Sequence, residues 1–373
     1  MKILQIGKFY PILGGVEKVM YDLTNGFAAR GIECDMLCAN NDTTVKQLII
    51  KELSPRNKVI ICPTKIKMFA TMLSPAMIKE LKRRCNAYDI IHVHHPDPMA
   101  TLSLYMSGYK GKVVLHWHSD ILKQAQLLKL YRPLQNWLIK RACRIVGTTP
   151  VYIKESPDLA SVQDKCTYLP IGIDKVPYNK DGVEKIRNQY AGKKIIFALG
   201  RLVEYKGYEY LIDAAKELGD DYIVLIGGGG PLKEELQAQI DTNNLSDKVK
   251  LLGRVSDEDL PNYYYATDLY CLSSTMKTEA FAIVQIEAMS CGKPVVSTRI
   301  PGSGVAWVNA HNESGITVEI YNSKALSDAF KSILENNALY QELSQGAEKR
   351  FNALFRKEVM IDKCLEIYKN VMH

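Results

Sequence analysis

Glu279 and Glu287 bracket the run Ala280-Phe281-Ala282-Ile283-Val284-Gln285-Ile286. The apolar positions read as a helix that opens just after Glu279, and eight helical residues rise about 12 Å. Glycosidase carboxyl pairs stand roughly 5–9.5 Å apart, so this spacing fits hydrolysis poorly. Two acids with the amides of Phe281, Ala282 and Ile283 between them suit a long ligand with polar ends and an anionic middle. A nucleotide-sugar has that form, with hydroxyls on sugar and ribose and phosphates between. A helix carrying a solvated acid at each end is the plainer alternative.

Arg201 and Lys206 lie in Gly200-Arg201-Leu202-Val203-Glu204-Tyr205-Lys206-Gly207, directly after a strand-like run. Two cations in one such loop can neutralise a diphosphate, though surface charge would look the same. Gly227-Gly228-Gly229-Gly230 follows the next strand, and Gly14-Gly15 follows the first strand of the chain. Glycine permits close backbone approach to a ligand, or simply a turn. Gly14-Gly15 is not G-x-G-x-x-G, and no acid follows at the NAD position, which speaks against a dehydrogenase.

His92, His94, His95, His116 and His118 crowd the ends of two strands. Alternate strand residues share a face, which pairs His92 with His94 and His116 with His118. Such spacing can hold zinc, yet no carboxylate or cysteine completes a set, so no metal is expected. His94 and His118 read as residues of a binding cleft, His92 and His116 as core.

The elements that must position these groups alternate between strand and helix. Lys2–Gly7, Ile32–Ala39, Val59–Pro63, Asp89–His95, Lys112–Ser119, Cys143–Thr149 and Cys166–Pro170 read as strands, with helices at Val16–Arg30 and Pro75–Arg84. The polar stretch Gly172–Lys193 reads as a linker. Strands resume at Lys194–Leu199, Tyr222–Ile226, Lys248–Leu252, Leu269–Leu272, Pro294–Ser297 and Ile316–Val318. A helical tail runs from Ser323 to His373 with a break near Asn352–Arg356. Alternation at this spacing means α/β architecture: two doubly wound, mostly parallel sheets joined by that linker. Ligands of such sheets bind beyond the carboxyl ends of the strands.

At 373 residues, with 47% hydrophobic and 24% charged, the chain is ordinary globular protein of two-domain size. No apolar run approaches the roughly 20 residues of a membrane span, and Met1–Ile6 is too short for a signal peptide. Nine cysteines without a C-x-x-C read as free thiols in a reducing cytosol. Residues 1–175 carry 25 Lys and Arg against 14 Asp and Glu, whereas the remainder carries 23 against 27. A basic first half suggests an anionic surface as partner, either nucleic acid or the cytoplasmic leaflet of a membrane. Lys65, Lys67, Lys79, Lys82, Arg83 and Arg84 beside Met68-Phe69-Ala70-Thr71-Met72-Leu73 resemble an interfacial anchor.

Glu279-x7-Glu287, Arg201-x4-Lys206, Gly14-Gly15-Val16-Glu17, Leu252-Gly253-Arg254-Val255-Ser256 and Ala288-Met289-Ser290-Cys291-Gly292-Lys293-Pro294 together resemble the family 4 retaining glycosyltransferases of the GT-B fold. The likeness spans essentially the whole chain. It is strongest to the subset that builds bacterial O-antigen, capsule and exopolysaccharide, including mannosyltransferases, which Trp117-His118-Ser119-Asp120-Ile121 and Leu169-Pro170-Ile171-Gly172-Ile173-Asp174 also resemble.

The resemblance implies two Rossmann-like domains facing each other across a cleft, residues 1–172 for the acceptor and 173–356 for the nucleotide-sugar, with a last helix at about 357–373 packing back on the first. Arg201 and Lys206 would bind the diphosphate, Glu287 the ribose hydroxyls and Glu279 those of the donor sugar. Arg254 and Val255 would meet the base, and the amides of Ala280, Phe281, Ala282 and Ile283 would hold sugar and phosphate. Gly14 and Gly15 would approach the diphosphate, and His118 the donor sugar. His94, Asp120 and Lys123 are the expected acceptor residues. Ala282 departs from the family, where many relatives have Gly. The implied activity is transfer of a hexose, with mannose from GDP-mannose the foremost reading. The implied acceptor is a hydroxyl of a lipid-linked saccharide at an anionic membrane. No cofactor, metal or nucleic acid is expected, and the location would be cytoplasmic, on the inner face of the membrane. A UDP-sugar transferase and a non-catalytic nucleotide-sugar-binding protein are the alternatives.

Overall fold

The computed structural model describes residues 1–12, 14–68, 71–121 and 125–373, with backbone alone for 125–128. The chain divides into two compact units, Met1–Gly172 with Lys357–His373, and Ile173–Arg356.

The first unit is built on an eight-stranded sheet. Its strands are β1 (Lys2–Tyr10), β2 (Glu33–Asn40), β3 (Ile49–Ser54) and β4 (Asn57–Cys62), and, after a small hairpin of β5 (Ile66–Met68) and β6 (Thr71–Leu73), β7 (Ile90–His95), β8 (Lys112–Trp117), β9 (Arg144–Gly147) and β10 (Cys166–Tyr168). Their order is β10-β9-β8-β7-β1-β2-β4-β3, parallel except for β3 at the edge. Helices cover both faces of a parallel sheet, so its central strands are buried, and β7 is buried at all six positions. The edge strand β3 and the β5–β6 hairpin lie where the sequence reads as irregular. Both are short and exposed, so neither shows the apolar run of a buried strand. Met72 of the hairpin is buried and Met68 exposed, while Phe69 and Ala70 of that stretch lie outside the described residues.

The second unit has strands β11 (Lys194–Leu199), β12 (Tyr222–Gly227), β13 (Val249–Gly253), β14 (Leu269–Leu272), β15 (Val295–Arg299) and β16 (Gly315–Glu319). All pair in parallel in the order β13-β12-β11-β14-β15-β16. The first strand lies in the middle and the order reverses between it and the fourth. That reversal is the switch point of a doubly wound sheet. The expected linker is only partly irregular, because Lys180–Gln189 is a helix capped by Asn179, whose Oδ1 accepts from the Gly182 amide. Arg187 docks this helix on the second unit with two bonds to Asp268, at 2.6 and 2.9 Å. A polar helix with one buried apolar residue, Ile186, lacks the apolar stripe that betrays a helix in sequence.

The helical tail widens into a π-helical turn at Phe351–Phe355 and breaks at the extended Arg356, and the helix Lys357–Met372 then belongs to the first unit. It lies against the helix Gly15–Ala29, where a Cβ on Gly26 would stand 2.2 Å from Ile361 Cδ1. Arg30 bonds Asp362 at 2.7 Å, and the Tyr368 ring packs 5.3 Å from that of Phe27.

Candidate active site

At the switch point of the second unit, the loop after β11 carries Arg201 and Lys206, and the loop after β14 carries Glu279. Strands β11 and β14 are direct neighbours, which brings the two loops together. Lys206 Nζ lies 2.5 Å from Glu279 Oε2, with the side chains only 10% and 12% exposed. Ser274 Oγ donates to the same carboxylate at 3.1 Å. Ser303 Oγ donates to the Glu279 carbonyl, and the Gly304 amide to that of Ala280 at 3.0 Å, so the backbone here is pinned from a third loop. Arg201 points to solvent. Arg201, exposed in the same loop, offers an anion one cation at once, and Lys206 can supply a second only by leaving the Glu279 carboxylate uncovered.

The helix expected to open just after Glu279 begins four residues later, as Ile283–Ser290. Ala282 ends the intervening turn with φ 62° and ψ 80°, a left-handed conformation that the preceding chain needs to enter the helix. The 12 Å helical rise between the acids therefore does not apply, since Glu279 lies outside the helix. Glu287 lies within it and accepts from Tyr264 Oη at 2.5 Å. Tyr264 is fully buried, and burial together with Glu287 holds its hydroxyl protonated, far above the usual tyrosine range. Sequence reasoning misses Tyr264, Ser274 and Ser303. The run Tyr263-Tyr264-Tyr265 was the one signal available for the first.

The glycine run has a packing reason. A Cβ at Gly228 would fall 1.8 Å from the Gly200 carbonyl, and one at Gly230 would fall 2.4 Å from that of Leu202. The Gly200 and Leu202 amides donate to the carbonyls of Gly227 and Gly229, both at 3.0 Å, and Gly228 donates to Gly253 at 2.7 Å. Three consecutive loops thus form one backbone platform along the carboxyl edge, leading to exposed Arg254 and half-buried Val255.

In the first unit the switch point lies between β1 and β7. Gly14 caps the helix Gly15–Ala29, and both glycines are exposed. Lys8 Nζ donates to the Pro96 carbonyl at 2.7 Å, while Asp97 accepts from the amides of Lys8, Met99 and Ala100. Strand register sets His94 opposite His116. The rings of His92, His94, His116 and His118 stack, His116 on His118 at 3.9 Å and His94 on His118 at 5.2 Å.

Burial drives the imidazoles of His92, His94 and His118 well below their usual range, and those of His95 and His116 down to about 3. Nitrogens of His92, His94 and His116 lie within 4.8 Å of one another, a separation that admits a metal ion. The rings, however, are stacked rather than convergent, with interplanar angles of 14°, 23° and 32°. Both His94 nitrogens are also already bonded, to His118 at 2.9 Å and Gln5 at 2.8 Å.

One acceptor expectation changes. His94 is fully buried with both nitrogens engaged, so it holds His118 instead of meeting an acceptor. The Asp120 carboxylate accepts from Trp117 Nε1 at 2.9 Å and Ser156 Oγ at 2.6 Å, which ties down the segment after β8. Lys123 lies outside the described residues.

Two doubly wound parallel units, each with its polar residues gathered at the carboxyl edge, make this a protein of the GT-B class. Known proteins agree with that architecture. The family model for Glycosyl transferases group 1 matches residues 180–350, and that for Glycosyltransferase Family 4 matches residues 13–175. The O-antigen chain mannosyltransferase C of Escherichia coli is 29% identical over 376 residues, covering 100% of this chain and 99% of that relative. The D-rhamnosyltransferase WbpZ of Pseudomonas aeruginosa is 30% identical over 361 residues, 95% of this chain and 92% of its own length. Among solved structures, Anabaena HepE in complex with UDP superposes with a TM-score of 0.78 at 21% identity, covering 99% of this chain and 100% of that one. A glycosyltransferase from Rickettsia africae superposes with a TM-score of 0.77 at 22% identity, covering 100% and 98%. The chain belongs to the family 4 retaining glycosyltransferases, and it is a transferase of sugars.

Proposed function

We propose that the protein transfers mannose from GDP-mannose to a hydroxyl of a lipid-linked saccharide in cell-surface polysaccharide synthesis. The observation that carries this reading is the Lys206–Glu279 pair beside Arg201 at the second switch point, in a chain alike from end to end to an O-antigen mannosyltransferase. Diphosphate oxygens would draw Lys206 from Glu279 and engage Arg201, and Glu279 would then be free to accept from hydroxyls of the sugar. As the bond from the anomeric carbon to the diphosphate breaks, charge grows on the leaving oxygen. Cations already in place stabilise it without reorganising. The acceptor hydroxyl attacks from the face the diphosphate leaves, which keeps the anomeric configuration, and its proton passes to the departing phosphate oxygen. Glu287, held by Tyr264, takes the ribose hydroxyls. These residues supply the charge that a metal ion would otherwise supply.

The acceptor's lipid favours a membrane surface. Ile66 and Met68 are 53% and 44% exposed on the hairpin that carries Lys65 and Lys67. No helix among the described residues is long and apolar enough to cross a membrane. Incubation with GDP-mannose and a panel of UDP-sugars tests the donor. Slow hydrolysis or transfer from GDP-mannose supports the reading. Turnover of a UDP-sugar alone, the nucleotide present in HepE, replaces GDP-mannose with that donor. Tight binding with no turnover of any donor on a lipid-linked acceptor makes the protein a binding protein.

A further inference from the structure

A chain of buried hydrogen bonds runs from the C-terminal helix to His118. Gln5 Nε2 donates to Tyr368 Oη at 3.0 Å and faces Cys34 Sγ at 3.8 Å. Tyr368 Oη in turn meets His92 Nδ1. Gln5 Oε1 lies 2.8 Å from His94 Nε2, and His94 Nδ1 lies 2.9 Å from His118 Nε2. Burial keeps the imidazoles neutral and the Tyr368 hydroxyl protonated. In a neutral imidazole one nitrogen donates and the other accepts, so one assignment dictates the next. The Gln5 amide nitrogen faces the hydroxyl and the sulfur, which leaves its oxygen for His94. His94 Nε2 must therefore carry the proton and His94 Nδ1 must accept. His118 Nε2 then donates, and His118 Nδ1 is a bare lone pair. It is buried with no partner among the described residues, and the residue is 5% exposed.

We propose that Gln5, held in orientation by Tyr368, is a positioning residue that locks His118 as its Nε2–H tautomer and so reserves Nδ1 to accept from a hydroxyl of a bound saccharide. This rests on the sugar-transfer reading. A hydroxyl suits the site because a bare nitrogen requires a donor. A carboxylate or phosphate oxygen would meet it lone pair to lone pair. Reversing the Gln5 amide would reverse every proton in the chain and leave His118 Nδ1 protonated, so the two assignments are opposite and observable.

Long-range proton–nitrogen spectra of the full chain labelled with nitrogen-15 histidine read the tautomers, with His118→Gln assigning the resonance. The expected result is protonated Nε2 and bare Nδ1 at His118. Gln5→Leu should turn that signal into a mixture and lower kcat about tenfold, with the Kd for nucleoside diphosphate within twofold of wild type. Tyr368→Phe keeps the ring on Phe27 and should do the same in weaker form, which guards against a Gln5 variant that fails to fold. An Nδ1–H tautomer in the wild type, or unchanged tautomer and kcat in Gln5→Leu, overturns the proposal. The spectra need no substrate, so absence of transfer by the wild type overturns the sugar-transfer reading separately.

Discussion

Lys206 and Glu279, 73 residues apart in sequence, meet at 2.5 Å at the switch point of the second sheet and neutralise each other there. The pair ties the loop after β11 to the loop after β14, and in the proposed function it is the contact that a bound diphosphate would rearrange.

Removing either cation should cost turnover. Arg201→Ala and Lys206→Ala each lose a charge-assisted contact that strengthens in the transition state, worth about 2–4 kcal/mol, or tens- to about thousandfold in kcat. Only Lys206→Ala should also lower stability, by on the order of 3 kcal/mol, because it leaves Glu279 nearly buried without its cation. Thermal unfolding and steady-state kinetics on both variants check the contrast. Near-normal kcat in the two would remove them from the chemistry.

The two acids should separate in binding. Glu287→Ala should weaken a free nucleoside diphosphate, and Tyr264→Phe should do so mildly by loosening Glu287. Glu279→Gln should bind the diphosphate at least as tightly as wild type, since Lys206 is released, while transfer falls. Titration calorimetry decides, and equal losses in the Glu287 and Glu279 variants would mean that the roles are misassigned.

Ala282 has room for a stabilising change. At φ 62° a Cβ costs roughly 1–2 kcal/mol, of which glycine's greater freedom in the unfolded chain takes back part. Ala282→Gly should gain about 0.5–1 kcal/mol, and Ala282→Val should lose stability because β-branching crowds this conformation further. Urea unfolding midpoints on the three chains give the order directly.

Acid should unfold the first unit early. The buried histidines have native pKa values below the unfolded value of 6.5, about 3 for His95 and His116. Between those limits the unfolded chain binds more protons than the native one, so stability falls as pH falls. Each histidine costs about 1.4 kcal/mol per pH unit. His116→Phe removes one such group and should move the acid transition to lower pH. Circular dichroism from pH 7.5 to 4.5 would show it, and a midpoint indifferent to pH below 6.5 would count against this account.

Membrane attachment should follow the exposed cations. Lys65, Lys67, Lys79 and Lys82 are exposed, whereas Arg83 and Arg84 both bind Glu80, at 2.6 and 2.9 Å. Each lysine near an anionic surface adds about 1 kcal/mol. Flotation with anionic vesicles at low salt should carry the wild type and leave behind the variant with those four lysines changed to Glu. Equal flotation of both would reject the patch.

The α/β class and the alternation of strands and helices were legible in the sequence because both depend on local periodicity. A buried parallel strand such as Lys194–Leu199 announces itself by its own side chains, and glycines and cations after strands mark loops. The edge strand Ile49–Ser54 and the helix Lys180–Gln189 escaped, since each packs too little apolar surface to leave a pattern. What tertiary structure alone decided was adjacency. Strand order set Lys206 against Glu279. The return of the last helix, which the resemblance implied, brought Tyr368 to Gln5 across 363 residues, a pairing that no local rule could foresee. It also turned His94 from an expected acceptor contact into a buried link to His118. The late start of the helix at Ile283 had the same origin. Ala282 takes a conformation that its side chain resists, held there because Ser303 and Gly304 fix the backbone just before it, and contacts between distant segments can outweigh a local preference of about 1 kcal/mol.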